Sequence, residues 1–314
     1  MFTTSGAGGE VVVPGSISNL GPGFDALSVA VRLHLRVRIT AADVRPDGFE
    51  CEFLSGPVPG ENRIATAFAR AGRELNVPAP SVRLEVTSEI PVRSGLGSSG
   101  AATVAGLLLY ERLTGLRSAA GWLPLATSIE GHPDNAAAAL LGGLAASCQH
   151  PDGRVTARVM PWAESVALVV AVPRVEVATS AARTVLPRMI PLPDAVFNLQ
   201  HALLLVDALR VGDLAGIRDA LADRWHQDAR ARLVPGLREA LELEDPALLG
   251  ICLSGSGPSL VGWTTTGSEN RVIELFSRMY AALGIDARVI PVAVHEPIPS
   301  AAVAAGGSRQ GPLT

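Results

Sequence analysis

Two glycines one residue apart join a strand-like stretch to a helix-like one, and no other feature constrains this chain as much. Residues 81–89 (SVRLEVTSE) alternate apolar and polar side chains, the period of a half-buried strand. Residues 98–113 form a long apolar run that reads as a helix. The joint, residues 91–101, is PVRSGLGSSGA. Gly95 and Gly97 permit a tight turn with exposed backbone amides. Ser98 and Ser99 then fall at the N-cap and first turn of the helix. Unpaired amides and a helix dipole of about half a charge favour an anion there, such as a triphosphate. Taken alone, the same residues also describe an ordinary N-cap after a glycine turn.

An absence narrows what could hold a phosphate. The 314 residues contain no lysine, so all 26 basic residues are arginine. That excludes a P-loop GK[ST], a protein-kinase phosphate-binding lysine and a Schiff-base lysine. A phosphate site here must use backbone amides, arginine and metal. The net charge of −4 offers no basic footprint for nucleic acid. No apolar run reaches the roughly 18 residues of a membrane-spanning helix, so no membrane partner is expected. The start, MFTTSGAGGE, lacks the basic and apolar regions of a secretory signal. Cys51, Cys148 and Cys252 are odd in number, far apart and without CxxC spacing. They read as buried thiols in a reducing compartment, and the expected location is cytoplasmic.

With 48% apolar and 18% charged residues, the composition fits a compact soluble protein, and the length fits two domains. Strands are expected at 10–14, 27–39, 81–89 and 155–160, with helices at 61–75, 98–113 and 118–130. The segment PWAES (161–165) is a boundary candidate. Beyond it, SVALVVAVP reads as a buried strand, followed by helices near 178–186, 194–210, 213–224 and 234–243. Strands at 249–253 and 259–264, a helix at 269–283 and a strand at 287–294 complete the pattern. The expected division is 1–163, 164–298 and a flexible tail at 299–314. Strands and helices mix without strict alternation, so the fold class is α+β with two domains.

Two further segments change the odds for the glycine turn. PGSISNLGPGFD (14–25) follows the first strand with Asn19, Asp25 and three glycines after Pro14. SGSGPS (254–259) lies between two expected strands, where a plain hairpin or bulge is the alternative. Three such segments, in this order and at this spacing, resemble the GHMP kinases, the galacto-, homoserine, mevalonate and phosphomevalonate kinases. Within that superfamily NLGPGFD (19–25), EGHPDN (130–135), TSAARTVLP (179–187) and DRWHQDARARLVPG (223–236) are similar to homoserine kinases. The similarity runs from about residue 10 to 295.

The resemblance implies a ribosomal-S5-like N-terminal domain and a ferredoxin-like C-terminal domain, with ATP and a small substrate bound between them. It implies ATP and Mg²⁺ as cofactors and L-homoserine as substrate, phosphorylated on its hydroxyl in a step towards threonine. Pro91, Val92, Arg93, Ser94, Gly95, Leu96, Gly97, Ser98, Ser99, Gly100 and Ala101 would wrap the phosphates, with Asn62 near adenine. Ser98 and Glu130 would hold the metal, oxygen ligands that suit a hard cation. Asn19 would orient the hydroxyl and Asp25 would take the ammonium. Arg183 and Arg230 would take the carboxylate with planar forks. His132, Asn135, Gly255, Ser256 and Gly257 would complete the substrate site.

For Glu130 the plain alternative is a solvated helix end, for Asn62 an N-cap, and for His132 a structural hydrogen bond. Ser18, Gly100 and Asp228 depart from the pattern, which has Ala, Ala and Pro there. Asp228 would weaken the positive field beside Arg230. No lysine exists to pair with an aspartate base, so transfer without a dedicated side-chain base is expected. A GHMP kinase for another alcohol such as threonine, or a non-catalytic ATP- or metabolite-binding regulator, stays open. So does the oligomeric state, a homodimer included.

Overall fold

The computed structural model describes residues 9–46, 48–56, 58, 60–175 and 177–299. The first half of the chain builds a six-stranded sheet. Strand β1 (Gly9–Ser18) lies antiparallel on β2 (Leu27–Pro46), with Val13 opposite Leu35. β2 outruns the expected 27–39 because β3 (Phe49–Phe53), α1 (Arg63–Leu75) and β4 (Pro80–Ser88) follow, and β4 pairs with its later half. β3, parallel to β4, has no counterpart in the sequence reading. Its five residues, FECEF, put Phe49, Cys51 and Phe53 on the core and leave Glu50 and Glu52 exposed.

Helix α2 (Ser98–Thr114) is the central one, which explains its apolar surface all round. It packs on β1 and β2 and against α1, α3 (Leu123–Glu130) and α4 (Asp134–Leu141). Gly106 permits the close crossing with α1, since a Cβ there would stand 2.3 Å from the Ile64 carbonyl oxygen. The helix expected from 118 starts only at Leu123, because the Gly121 N–H closes a turn on the Ser118 carbonyl at 2.8 Å. α4 and β5 (Leu144–Gln149) occupy the small-residue run that carries neither period, split by Gly142 and Gly143. β5 joins the start of β2 to β6 (Val155–Met160).

The second half runs β7 (Val166–Pro173), α5 (Thr179–Thr184), α6 (Leu192–Val211), α7 (Leu214–Ala220), α8 (Gln227–Arg230) and α9 (Leu237–Leu241). It closes with β8 (Leu248–Leu253), β9 (Leu260–Thr265), α10 (Glu269–Ala282) and β10 (Ala287–Val292). The antiparallel order β10-β7-β9-β8 is that of a ferredoxin-like sheet, with five helices in place of one at the first crossover. α7 stops at Ala220, before the expected 224, and the backbone of residues 225–227 folds onto the Asp223 carboxylate. α9 starts after Gly236, whose φ of +82 interrupts the helix.

The chain then returns to the first sheet. His295 N–H donates to Ala30 O at 2.8 Å, and Ile298 N–H to Leu141 O at 2.7 Å. No described helix is long and apolar enough to cross a membrane. All three cysteines are free, but only Cys252 is buried; Cys51 is intermediate and Cys148 exposed, which corrects the expectation of three buried thiols. From residue 300 the expected tail lies outside the described residues.

Candidate active site

A cleft of about 810 Å³ opens at the N-terminus of α2, walled by residues of both halves of the chain. The turn that floors it is gripped from behind. Gly95 lies so close to the 254–259 loop that a Cβ would stand 2.3 Å from the Ser254 carbonyl oxygen. Ser254 Oγ donates to Gly95 O at 2.7 Å, and Ser259 N–H to Ser94 O at 3.0 Å. At Gly97, φ is +74 and a Cβ would meet Ser16 Oγ at 2.1 Å. That hydroxyl donates to Asn135 Oδ1 at 2.7 Å. The N-cap of α2 is therefore Gly97 rather than a serine, and no side chain caps the first turn. Its amides stay available to an anion, where an N-capping serine would have taken one of them.

The 19–25 loop holds three non-glycine residues in left-handed conformation, Asn19 (φ 73), Leu20 (φ 47) and Asp25 (φ 53). Each such residue costs about 1–2 kcal/mol, so other contacts must over-determine the loop. Asn19, 3% exposed, supplies two of them. Its Nδ2 donates to Gly255 O at 3.0 Å, and its Oδ1 accepts the Asp25 N–H at 3.1 Å. Asp25 in turn receives both terminal nitrogens of Arg183, at 3.0 and 2.8 Å. The aspartate expected to take an ammonium and an arginine expected to take a carboxylate thus satisfy each other.

Arg230 is 2% exposed and donates to Ala182 O at 3.1 Å and to Gly255 O at 2.9 Å. Burial, with the nearby Arg183 charge, pushes its guanidinium down to about 10, which leaves it charged at neutral pH. His226 Nε2–H donates to Gly21 O at 2.9 Å, so Nδ1 is the acceptor that faces Arg230 at 3.2 Å. Burial holds this imidazole below its ordinary value and neutral. Asp223 anchors the group by accepting the N–H of Trp225, His226 and Gln227 at 3.0, 3.0 and 2.8 Å. Asp228 is exposed in the first turn of α8 and does not line the cleft.

At the other wall, Glu130 accepts a hydrogen bond from Thr103 Oγ1 at 2.5 Å, and its side chain is 6% exposed. The nearest arginine nitrogen, Arg63 Nη1, stands 4.0 Å away. The carboxylate is thus held by Thr103 with only a long ion pair to Arg63, and it lines the same cleft as Ser98; two oxygen donors of this kind suit a hard cation such as Mg²⁺. His132 Nδ1 lies 2.5 Å from Asp134 Oδ1. Burial works against its proton, but the bond and charge of Asp134, with Asp25 beyond, raise it above its ordinary value. Asn62 Oδ1 accepts the N–H of Ile64 and Ala65 at 3.1 and 3.2 Å, so it caps α1 while lining the cleft.

Nearly all the expected residues meet in this cleft. Leu96 and Ala101 do not: both are fully buried in the core. Gly257 is turned away against Val234 and Leu253, where a Cβ would meet side-chain carbons at 2.9 and 3.0 Å. Sequence reasoning did not find Thr103, four residues after Ser99 on the same helix face, or Arg63, which follows Asn62. Ser18, noted in the sequence only as a departure from the family pattern, lines the cleft, as does Arg288, which was not singled out.

Residues 62–143 match the family described as GHMP kinases N terminal domain, and residues 205–282 match GHMP kinases C terminal. The chain is 38% identical to a homoserine kinase of Solibacter usitatus over 297 residues, 90% of this chain and 94% of that one. It is 40% identical to a homoserine kinase of Thermus thermophilus over 291 residues, 91% and 96% of the two chains. The crystal structure of homoserine kinase from Cytophaga hutchinsonii superposes with a TM-score of 0.79 at 26% identity, covering 95% of this chain and 99% of that one. The fold, the cleft and these likenesses agree, and the chain belongs to the GHMP kinases, in the homoserine kinase family.

Proposed function

We propose that this protein transfers the γ-phosphoryl group of ATP to the hydroxyl of L-homoserine, giving O-phospho-L-homoserine, a step towards threonine in the cytoplasm. The observation that carries the reading is one cleft with two complementary ends. One end offers the uncapped amides of α2 to a triphosphate. The other offers Asp25, Arg183 and Arg230, a charge set that matches an amino acid's ammonium and carboxylate.

In this reading the amides from Gly95 to Ser99 cradle the phosphates, and Ser98 with Glu130 would hold Mg²⁺. The metal, when bound, supplies charge neutralisation for the transferring phosphoryl group. Asp25 and Arg183 open from each other to receive the two charged groups of the substrate, and Asn19, fixed by Gly255 O and the Asp25 amide, orients the hydroxyl. No lysine is present, and the proton held on His132 by Asp134 leaves a smaller share of that imidazole free to act as a base. The hydroxyl proton therefore passes to a phosphate oxygen, as a loose transition state permits. ADP release measured over L-homoserine, threonine and simple amino alcohols tests the assignment. A preference for threonine would redirect it, and no turnover with any of them would refute it.

A further inference from the structure

Arg63 stands at the wrong end of its helix. It is the first residue of α1, directly after the Asn62 N-cap, and no acidic residue shares the first turn. A helix dipole favours anions at that end, so the placement works against α1. What the side chain does reach is the cleft. It is 40% exposed, and its hydrogen bond and ion pair among the described residues are both long. Nη1 lies 3.5 Å from the Ile129 carbonyl oxygen and 4.0 Å from Glu130 Oε1. An arginine serving only as the counter-ion of Glu130 would close on it, as Arg183 closes on Asp25 at 2.8 Å. A guanidinium carries five N–H donors in a planar fork, so this one has donors left for a ligand.

Position decides which ligand. Five arginines line the cleft: Arg63, Arg93, Arg183, Arg230 and Arg288. Arg183 is engaged by Asp25, and Arg230 by the carbonyls of Ala182 and Gly255, at the end assigned to the amino acid. Arg63 belongs to the other end. Its neighbour Ile64 packs on α2 at Gly106, about 12 Å along that helix from Ser98. The guanidinium leans from there towards the start of α2, for Glu130 beside it is bonded to Thr103, three residues nearer Ser98. The chain has no lysine to neutralise a polyphosphate, and backbone amides offer only partial charges.

We propose, building on the kinase reading above, that Arg63 is a nucleotide-binding residue that takes the terminal phosphates of ATP. On binding, its guanidinium moves from Ile129 O and Glu130 to two phosphate oxygens, the bidentate contact for which arginine is shaped. The same movement leaves the Glu130 carboxylate to a cation. A full positive charge then rests on the group being transferred, where negative charge must be stabilised.

Calorimetric titration with a non-hydrolysable ATP analogue, with Mg²⁺ and again in EDTA, tests the assignment. Wild-type protein should bind the analogue with Mg²⁺, and failure there would refute the kinase reading itself. Given that binding, Arg63→Gln should weaken affinity about tenfold or more under both conditions, because a guanidinium–phosphate contact does not pass through the metal. Arg63→Lys, which keeps the charge and loses the fork, should bind with intermediate affinity. Urea denaturation of both unliganded variants should stay close to wild type, since relief at the start of α1 offsets the lost approach to Glu130. Wild-type affinity in Arg63→Gln would overturn the proposal. So would a loss seen only with Mg²⁺, which would make Arg63 an aid to Glu130. A loss accompanied by a marked fall in unfolding stability would make the residue structural and overturn it as well.

Discussion

Asp25 and Arg183, both lining the cleft, face each other through two hydrogen bonds, 3.0 and 2.8 Å long. Their side chains are 32% and 39% exposed, so water and salt screen the pair and a ligand can reach it. Each charge thus compensates the other. In the proposed reading, a bound zwitterion would replace one ion pair with two, its carboxylate on the arginine and its ammonium on the aspartate. A neutral alcohol or a lone amine offers no such exchange.

Asp25→Asn tests this directly. KM for homoserine should rise about tenfold or more while KM for ATP stays within about twofold, because a charged hydrogen bond is worth about 1.5–3 kcal/mol. Stability should fall by no more than about 1 kcal/mol, given the exposure of the pair. A large drop in unfolding free energy with unchanged KM would make the pair purely structural.

Glu130→Gln keeps the shape of the side chain and its bond to Thr103 but removes the charge. Turnover should fall tenfold or more, at least about 1.36 kcal/mol of barrier, and the Mg²⁺ concentration for half-maximal rate should rise. A Mg²⁺ titration that superposes on the wild type would remove Glu130 from the metal site.

Gly97→Ala and Gly115→Ala form a matched pair at the two ends of α2. Both glycines have left-handed φ, +74 and +70, but only at Gly97 does a Cβ collide, at 2.1 Å from Ser16 Oγ; around Gly115 nothing lies within 4 Å. Gly115→Ala should cost about 1–2 kcal/mol of stability and leave ATP affinity alone. Gly97→Ala should also displace Ser16, break its bond to Asn135 and lower ATP affinity. Calorimetric titration with a non-hydrolysable ATP analogue distinguishes the two, and equal affinities in both variants would make the 91–101 turn a simple helix start.

The folded-state pKa of His132 is raised, with Asp134 and Asp25 favouring its proton over burial and the Arg183 charge. A raised pKa contributes stability that is complete below the unfolded value of about 6.5 and lost as pH rises through the folded value. The stability difference between wild type and His132→Asn should therefore be largest below about pH 6.5 and shrink above it. Urea denaturation across pH 5.5–8.5 measures it, and a difference that grew with pH would reverse the sign of the shift.

Where a period or a charged motif was present, the sequence showed the element. The alternation at 81–89 became β4, and the glycine-serine joint became the start of α2. Small residues hid α4 and β5, since alanine and glycine carry no amphipathic signal, and β3 was too short to show one. The site residues were legible as types but not as pairs. Asp25 and Arg183 lie 158 positions apart, and only the packing of the two halves brings them together. Thr103 was invisible because a threonine inside an apolar helix looks like filler until Glu130 is seen against it.

The ratio of kcat/KM for homoserine to that for 3-aminopropan-1-ol, its analogue without the carboxylate, measured in wild type and in Arg183→Ala, probes the central claim most directly. If Arg183 receives the carboxylate, the variant should lose roughly 10- to 150-fold in kcat/KM on homoserine, the range set by about 1.5–3 kcal/mol for a charged hydrogen bond, and far less on the amino alcohol. The wild-type preference for homoserine should collapse accordingly. Equal losses on both substrates would place carboxylate recognition elsewhere and contradict the reading of this end of the cleft.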